Sequence, residues 1–90
     1  MKPQLSIEFL RSFAAIAEAG GLSRAAERVG RTQAALSQQV KKLEGAIQQP
    51  LLVRGSRGIS LTSQGERLLA HAQKILRAHD EAIAELTGER

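Results

Sequence analysis

Gln33, Ala34, Ser37 and Gln38, followed by Lys41 and Lys42, put amides, a methyl, a hydroxyl and ammonium groups on one short stretch of chain. Such groups suit the edges of base pairs. Glutamine can pair with adenine N6 and N7, an alanine methyl meets the thymine methyl, and lysine meets guanine or phosphate. The same stretch carries Leu36, Val40, Leu43 and Ile47 at i, i+4, i+7 and i+11, which share one side of a helix at about 100° per residue. Ala34, Gln38 and Lys41 then lie opposite, with Ser37 and Lys42 beside them. The spacing predicts a helix over 33–48, capped by Thr32, with a polar face of the kind a DNA groove accepts. An ordinary amphipathic helix with a solvated outer face satisfies the same pattern, so the neighbouring elements carry weight.

Ser6 is expected to cap a first helix in which Leu10, Phe13 and Ala17 recur at helical spacing with Ile16 alongside, stopped by Gly20 and Gly21. Ser23 is expected to cap a short second helix that buries Ala25, Ala26 and Val29 and ends at Gly30. The short link from Val29 to Gln33 is that of a helix-turn-helix whose third helix enters the groove, although a plain helical hairpin has the same link. Beyond Ile47, Pro50-Leu51-Leu52-Val53-Arg54 and Ile59-Ser60-Leu61 flank the turn Gly55-Ser56-Arg57-Gly58 and read as a two-stranded wing. An isolated hairpin is marginal, so Leu52, Ile59 and Leu61 are expected to pack on the helices. Arg54 and Arg57 would then project from the polar side, toward phosphate or the minor groove, or simply into solvent.

Thr62, helped by a Ser63-x-x-Glu66 capping box, opens a last helix that nothing interrupts before Gly88. Its residues Leu69, Ala72, Leu76, His79, Ile83 and Leu86 alternate at three and four, and Leu68, Ile75 and Ala82 widen the stripe. A domain this small is not expected to cover such a stripe alone, so these nine residues are read as a dimer interface. The competing arrangement folds the helix back on its own domain. His79 is read as an interface histidine, lacking a carboxylate, cysteine or second histidine to support chemistry. The fold class is therefore mostly α: a winged helix-turn-helix over 1–62, with three helices and a two-stranded wing, followed by a linker or dimerisation helix over 63–90.

Composition narrows the partner. Ninety residues allow one small domain with a modest core, which favours assembly with a second copy. The net charge is +4, but residues 24–57 hold seven basic and two acidic residues, so the excess is concentrated around the third helix and the wing. Such a block attracts a polyanion and makes binding salt-dependent, unless it is merely solvated surface. Phe9 and Phe13 are the only aromatic residues, which disfavours single-stranded nucleic acid and RNA and points to double-stranded DNA. With no cysteine and two scattered histidines, no metal site, cofactor or catalytic group is expected. No paired carboxylates or phosphate-cradling glycine loop suggests an enzyme. No apolar run approaches the ~20 residues of a membrane span and no signal-peptide core is evident, so a soluble cytoplasmic protein is expected, with no membrane partner.

The order of elements, with Leu10-x-x-Phe13, Ser23-Arg24-Ala25-Ala26, Gln33-x-x-x-Ser37-x-Gln39-Val40-x-x-Leu43-Glu44, Pro50-Leu51-Leu52-Val53-Arg54, Arg57-Gly58 and Leu61-Thr62-x-x-Gly65, resembles the N-terminal DNA-binding domain of LysR-type bacterial transcriptional regulators. The resemblance spans Ile7 to Leu86. It implies a winged helix-turn-helix joined to a linker helix, with the linker helices of two chains pairing antiparallel. Gln33, Ala34, Ser37 and Gln38 match family positions that meet base edges, Thr32 a position near the backbone, and Arg54 the wing arginine. Ser23, Arg24, Arg31, Ala35, Lys41, Lys42 and Arg57 complete the expected backbone and wing contacts.

Three departures bear on geometry and one on base preference. Ala34 stands where the family usually has proline, leaving a less rigid first turn. Gln48 replaces the usual glycine after the recognition helix, which must close without the residue best suited to positive φ. Leu52 stands where phenylalanine is frequent. Gln38, where many relatives have arginine, suggests adenine rather than guanine. Family members continue into an effector-binding domain of two α/β lobes; with its last residue at Arg90, this chain is expected to be the DNA-binding fragment alone. Small-molecule sensing would belong to that absent domain, and dimer against tetramer is left open for the whole protein. The rival reading is a protein interaction or dimerisation module without DNA readout.

Overall fold

The computed structural model describes residues 3–89; Met1, Lys2 and Arg90, at the outer ends of the two expected segments, lie outside the described residues. Helix α1 (Ile7–Ala19) starts where the Ser6 hydroxyl accepts the Phe9 amide at 3.3 Å. It stops at Gly20, whose φ of 76° turns the chain out of the helix. The next residue, Gly21, is extended and opens α2 (Leu22–Val29) with no side-chain cap. Ser23 is therefore the second residue of α2 and not its cap. The two adjacent glycines divide the work, one ending a helix and the other starting the next.

Gly30 closes α2 in the left-handed region, and Thr32 opens α3 (Gln33–Ile47) by accepting the Ala35 amide at 3.0 Å. At the far end Gln48 adopts φ 55°, ψ 42° and donates its amide to Glu44 O. Gln48 is thus forced into a conformation that costs a residue with a Cβ about 1 kcal/mol. Strands β1 (Leu52–Gly55) and β2 (Gly58–Leu61) form an antiparallel hairpin across Ser56 and Arg57, with Leu52 opposite Leu61 and Arg54 opposite Ile59.

Helix α4 (Ser63–Thr87) is capped by Thr62, whose Oγ1 accepts the Gly65 amide at 2.9 Å. The expected Ser63-x-x-Glu66 box is out of register by one residue: the capping hydroxyl belongs to Thr62, and the Glu66 amide bonds to Thr62 O at 2.9 Å. Thr62 also donates its hydroxyl to Pro50 O at 2.7 Å and its amide to Leu51 O at 3.0 Å. One residue therefore closes the wing and starts the long helix. Gly65 lies so close to this junction that a Cβ would sit 2.2 Å from Leu51 O.

The core gathers around α1. Leu10, Phe13 and Ile16 meet Ala25 and Ala26 of α2, Leu36, Val40 and Leu43 of α3, and Leu51 before the wing. The alanines let α1 and α2 approach closely. Leu52, Ile59 and Leu61 are half-buried against this cluster, and the wing also docks on the end of α1, with the Ile59 amide donating to Gly20 O at 3.4 Å. Leu68, Ala72 and Leu76 from the first half of α4 complete the core, so packing is continuous across residue 62. These three, expected at a dimer interface, are buried by their own domain, because the first turns of α4 lie along α1. Further along, the same face has no cover: Ile83 is 50% and Leu86 84% exposed, and Ile75 and Ala82 are also exposed.

Candidate nucleic-acid interface

Helix α3 is held from both flanks. On one side Gln39 turns toward α1, where its Oε1 accepts the hydroxyl of buried Ser12 and its Nε2 donates to Glu8 Oε2 at 3.3 Å. On the other side Arg54 of the wing donates to Ser37 Oγ at 3.2 Å. Just below, Glu44 accepts the Leu51 amide at 2.8 Å and fixes the loop that leads into the wing. Between these flanks Ala34, Gln38 and Lys41 form an exposed row directly opposite buried Leu36, Val40 and Leu43, and Gln33 is exposed at the helix start. Ser37 and Ala35 are half-buried.

Several expected contact residues have partners within the chain. Arg31 donates to Glu8 Oε2 at 3.0 Å, and the Lys42 ammonium lies 5.8 Å from the centre of the Phe9 ring. Lys42 thus sits on the α1 side of α3, apart from the row led by Gln38. Arg54 does not project from the outer side of the wing. The register puts it on the face of Leu52, Ile59 and Leu61, which looks toward the helices, and Val53 occupies the opposite face at 49% exposure. Arg57 is exposed at the hairpin turn, and Ser23, Arg24 and Thr32 are exposed near the starts of α2 and α3. Arg24, Lys41 and Arg57 make no ion pair with the described residues.

Glu8 and Ser12 were not legible as parts of this surface, and Gln39 was legible only as a member of a motif. Ser12 carried a signal: a hydroxyl inside the apolar stripe of Leu10 and Phe13 must find a partner when buried. Away from α3, Arg11 grips Asp80 through two bonds of 2.9 and 3.3 Å and ties α1 to α4. Bonding to Arg11 and then to His79 holds the Asp80 carboxyl below its ordinary range, and the same bond raises the Arg11 guanidinium. His79 therefore does have a carboxylate neighbour, with Nδ1 at 3.2 Å from Asp80 Oδ1. All three side chains are exposed and form an inter-helix latch. Among the described residues no cluster of three or more histidine, aspartate or glutamate side chains is suited to a metal ion, and no helix is long and apolar enough to cross a membrane.

Three helices, a two-stranded hairpin packed beside the third, and an outward polar row on that third helix define a winged helix-turn-helix. The family described as bacterial regulatory helix-turn-helix protein, lysR family, matches residues 7–66. The chain belongs to that family. It is 64% identical over 84 residues to the HTH-type transcriptional regulator DgdR of Burkholderia cepacia, a match covering 93% of this chain and 29% of that protein. The chain thus spans under a third of that relative's length. Among solved structures, the CbnR DBD–DNA complex aligns with a TM-score of 0.81 at 34% identity, covering 94% of this chain and 99% of that one. The BenM DBD complex with catB site 1 DNA aligns at 0.86 with 30% identity, covering 91% of each.

Proposed function

We propose that this chain binds double-stranded DNA sequence-specifically as a homodimer, each α3 lying in a major groove while the wing touches the flanking minor groove or backbone. The observation that carries the reading is the exposed row Ala34, Gln38 and Lys41, held between the Gln39 and Ser37 latches. A helix fixed on both flanks presents its outer side chains at little further ordering cost, which favours selective readout. Gln33, Ala34, Ser37 and Gln38 meet base edges; Thr32, Ala35, Arg24, Lys41 and Arg57 meet the backbone. Arg31, Lys42 and Arg54 add positive charge once their present partners yield. The start of α2 has no side-chain cap, so its first amides beside Ser23 suit a phosphate.

Helix α4, Ser63–Thr87, serves as the dimerisation helix, although its N-terminal part shares the winged core. Leu69, Ile75, His79, Ala82, Ile83 and Leu86 form the seam, with two copies antiparallel. Action on the bacterial chromosome places the protein in the cytoplasm, and any effector acts through the length that the relatives have beyond this match.

Selection of bound duplexes from a random pool, followed by titration at two salt concentrations, tests the reading. Gln38→Ala is expected to cost about 1–3 kcal/mol on the selected duplex and to relax preference at one base pair. Arg54→Ala should weaken selected and scrambled duplexes alike and flatten the salt slope. Equal losses on both duplexes for Gln38→Ala would remove Gln38 from the readout set. Failure to bind any duplex at low salt would leave the interaction-module reading.

A further inference from the structure

One strip on the outer side of α4 is divided by charge, set beside exposed Glu66 and Arg77 of the reverse order. Arg67 and Lys74 stand in its first half, Glu81 and Glu85 in its second, and all four are exposed. At about 100° per residue they fall within an arc of roughly 40°, on one flank of the exposed row Ile75, Ala82 and Leu86. None of the four forms an ion pair with the described residues. Ala78 lies between the flank and the apolar row, and with Ala82 in the row leaves room for a second helix to come close. The chain therefore has an uncovered apolar strip bordered by a flank that is cationic at one end and anionic at the other.

In a two-fold pair each surface meets its own copy. A parallel partner would set this flank against the other side of the partner's helix, leaving its charges without complements. An antiparallel partner keeps this flank facing itself but reversed, so Arg67 and Lys74 of one copy run alongside Glu81 and Glu85 of the other, and the arrangement repeats by symmetry. Flanking charges of this sort choose partner and orientation in paired helices. We propose that this flank is the device by which α4 selects a second copy of the same chain, in the antiparallel sense, over helices with another charge order. The inference rests on the dimer reading above, with the seam turned toward Ile75, Ala82 and Leu86, and adds to it the groups that discriminate.

Charge exchange tests it. Glu81→Lys with Glu85→Lys gives a wholly cationic flank, and Arg67→Glu with Lys74→Glu a wholly anionic one. The four sites are exposed, so helical circular dichroism of both double variants should match the parent. Sedimentation equilibrium at about 0.1 M salt is expected to show each double variant self-associating about tenfold or more weakly than the parent. An equimolar mixture of the two should restore association, with the mixed dimer dominant in native mass spectra, and about 0.5 M salt should erase the preference. If the parent is dimeric while both variants associate equally well and mix statistically, the charge proposal is overturned and the dimer stands. A parent that stays monomeric at high micromolar concentration overturns the dimer and the proposal together.

Discussion

Two glycines inside helices should respond in opposite directions to the same substitution. At Gly45 of α3 an added Cβ meets nothing within 4 Å, so Gly45→Ala gains only the helix preference of alanine, about 1 kcal/mol. At Gly65 the same methyl would lie 2.2 Å from Leu51 O, 3.1 Å from Leu51 C and 3.2 Å from Leu61 Cβ. Relief requires a shift of about 1 Å or more to reach ordinary contact distances. The Leu51 backbone cannot give cheaply. Its oxygen accepts the Thr62 amide, its own amide is held by Glu44, and its side chain is fully buried. Overpacking of about 1–3 kcal/mol and weakening of hydrogen bonds worth about 1 kcal/mol each outweigh the propensity gain. Gly65→Ala is therefore expected to lose about 2–4 kcal/mol, leaving the two variants about 3–5 kcal/mol apart. Urea unfolding followed by circular dichroism measures this at one fixed chain concentration, because dimerisation would shift apparent stability. A Gly65→Ala protein within about 0.5 kcal/mol of the parent would refute the close docking of α4 on Leu51 as the joint between wing and long helix.

Three further outcomes follow from the same geometry. Gln48→Gly should raise stability by about 0.5–1 kcal/mol, since glycine takes φ 55° without a Cβ clash, and an unchanged urea midpoint would mean that the end of α3 is not strained. The lowered Asp80 pKa means its contribution is present above the ordinary value of 3.8 and is lost as pH falls below it. Asp80→Asn should accordingly flatten the acid limb of a stability–pH curve, and equal slopes for both proteins would assign that limb to other carboxylates. Leu76→Asp should unfold the domain, because Leu76 is only 9% exposed, whereas Ile83→Asp should leave the helical signal intact and reduce association; thermal melts with sedimentation separate the two effects.

Local signals read correctly wherever one residue had one job. Ser6 and Thr32 carry capping hydroxyls, Gly20 and Gly30 end helices, and Leu36, Val40 and Leu43 line the buried side of α3. Errors arose where neighbours competed for a role. Gly21, not Ser23, opens α2, and although Thr62 caps α4 as expected, the cap bonds run from Thr62 and not through the box that Ser63 and Glu66 suggested. The side of the wing that bears Arg54 depends on strand register, which a four-residue strand does not announce. Periodicity marked the stripe from Leu68 to Leu86 but carried no information on its cover. Only the path of α4 along α1 shows that Leu68, Ala72 and Leu76 are enclosed while Ile83 and Leu86 are not. Of the polar row on α3, Gln38 was legible from helical spacing; the braces at Glu8, Ser12 and Gln39 were not, since they join residues far apart in sequence.

Because Thr62 fastens Pro50 and Leu51 at the same point where α4 begins, the wing has no hinge of its own against the long helix. Torque applied to the rod arrives at the hairpin tip without slack. In the proposed dimer, adjusting how two such heads straddle a bent or straight duplex would mean swivelling each head whole, so the tip-to-tip span would be a property of the rods' crossing rather than of loop flexibility.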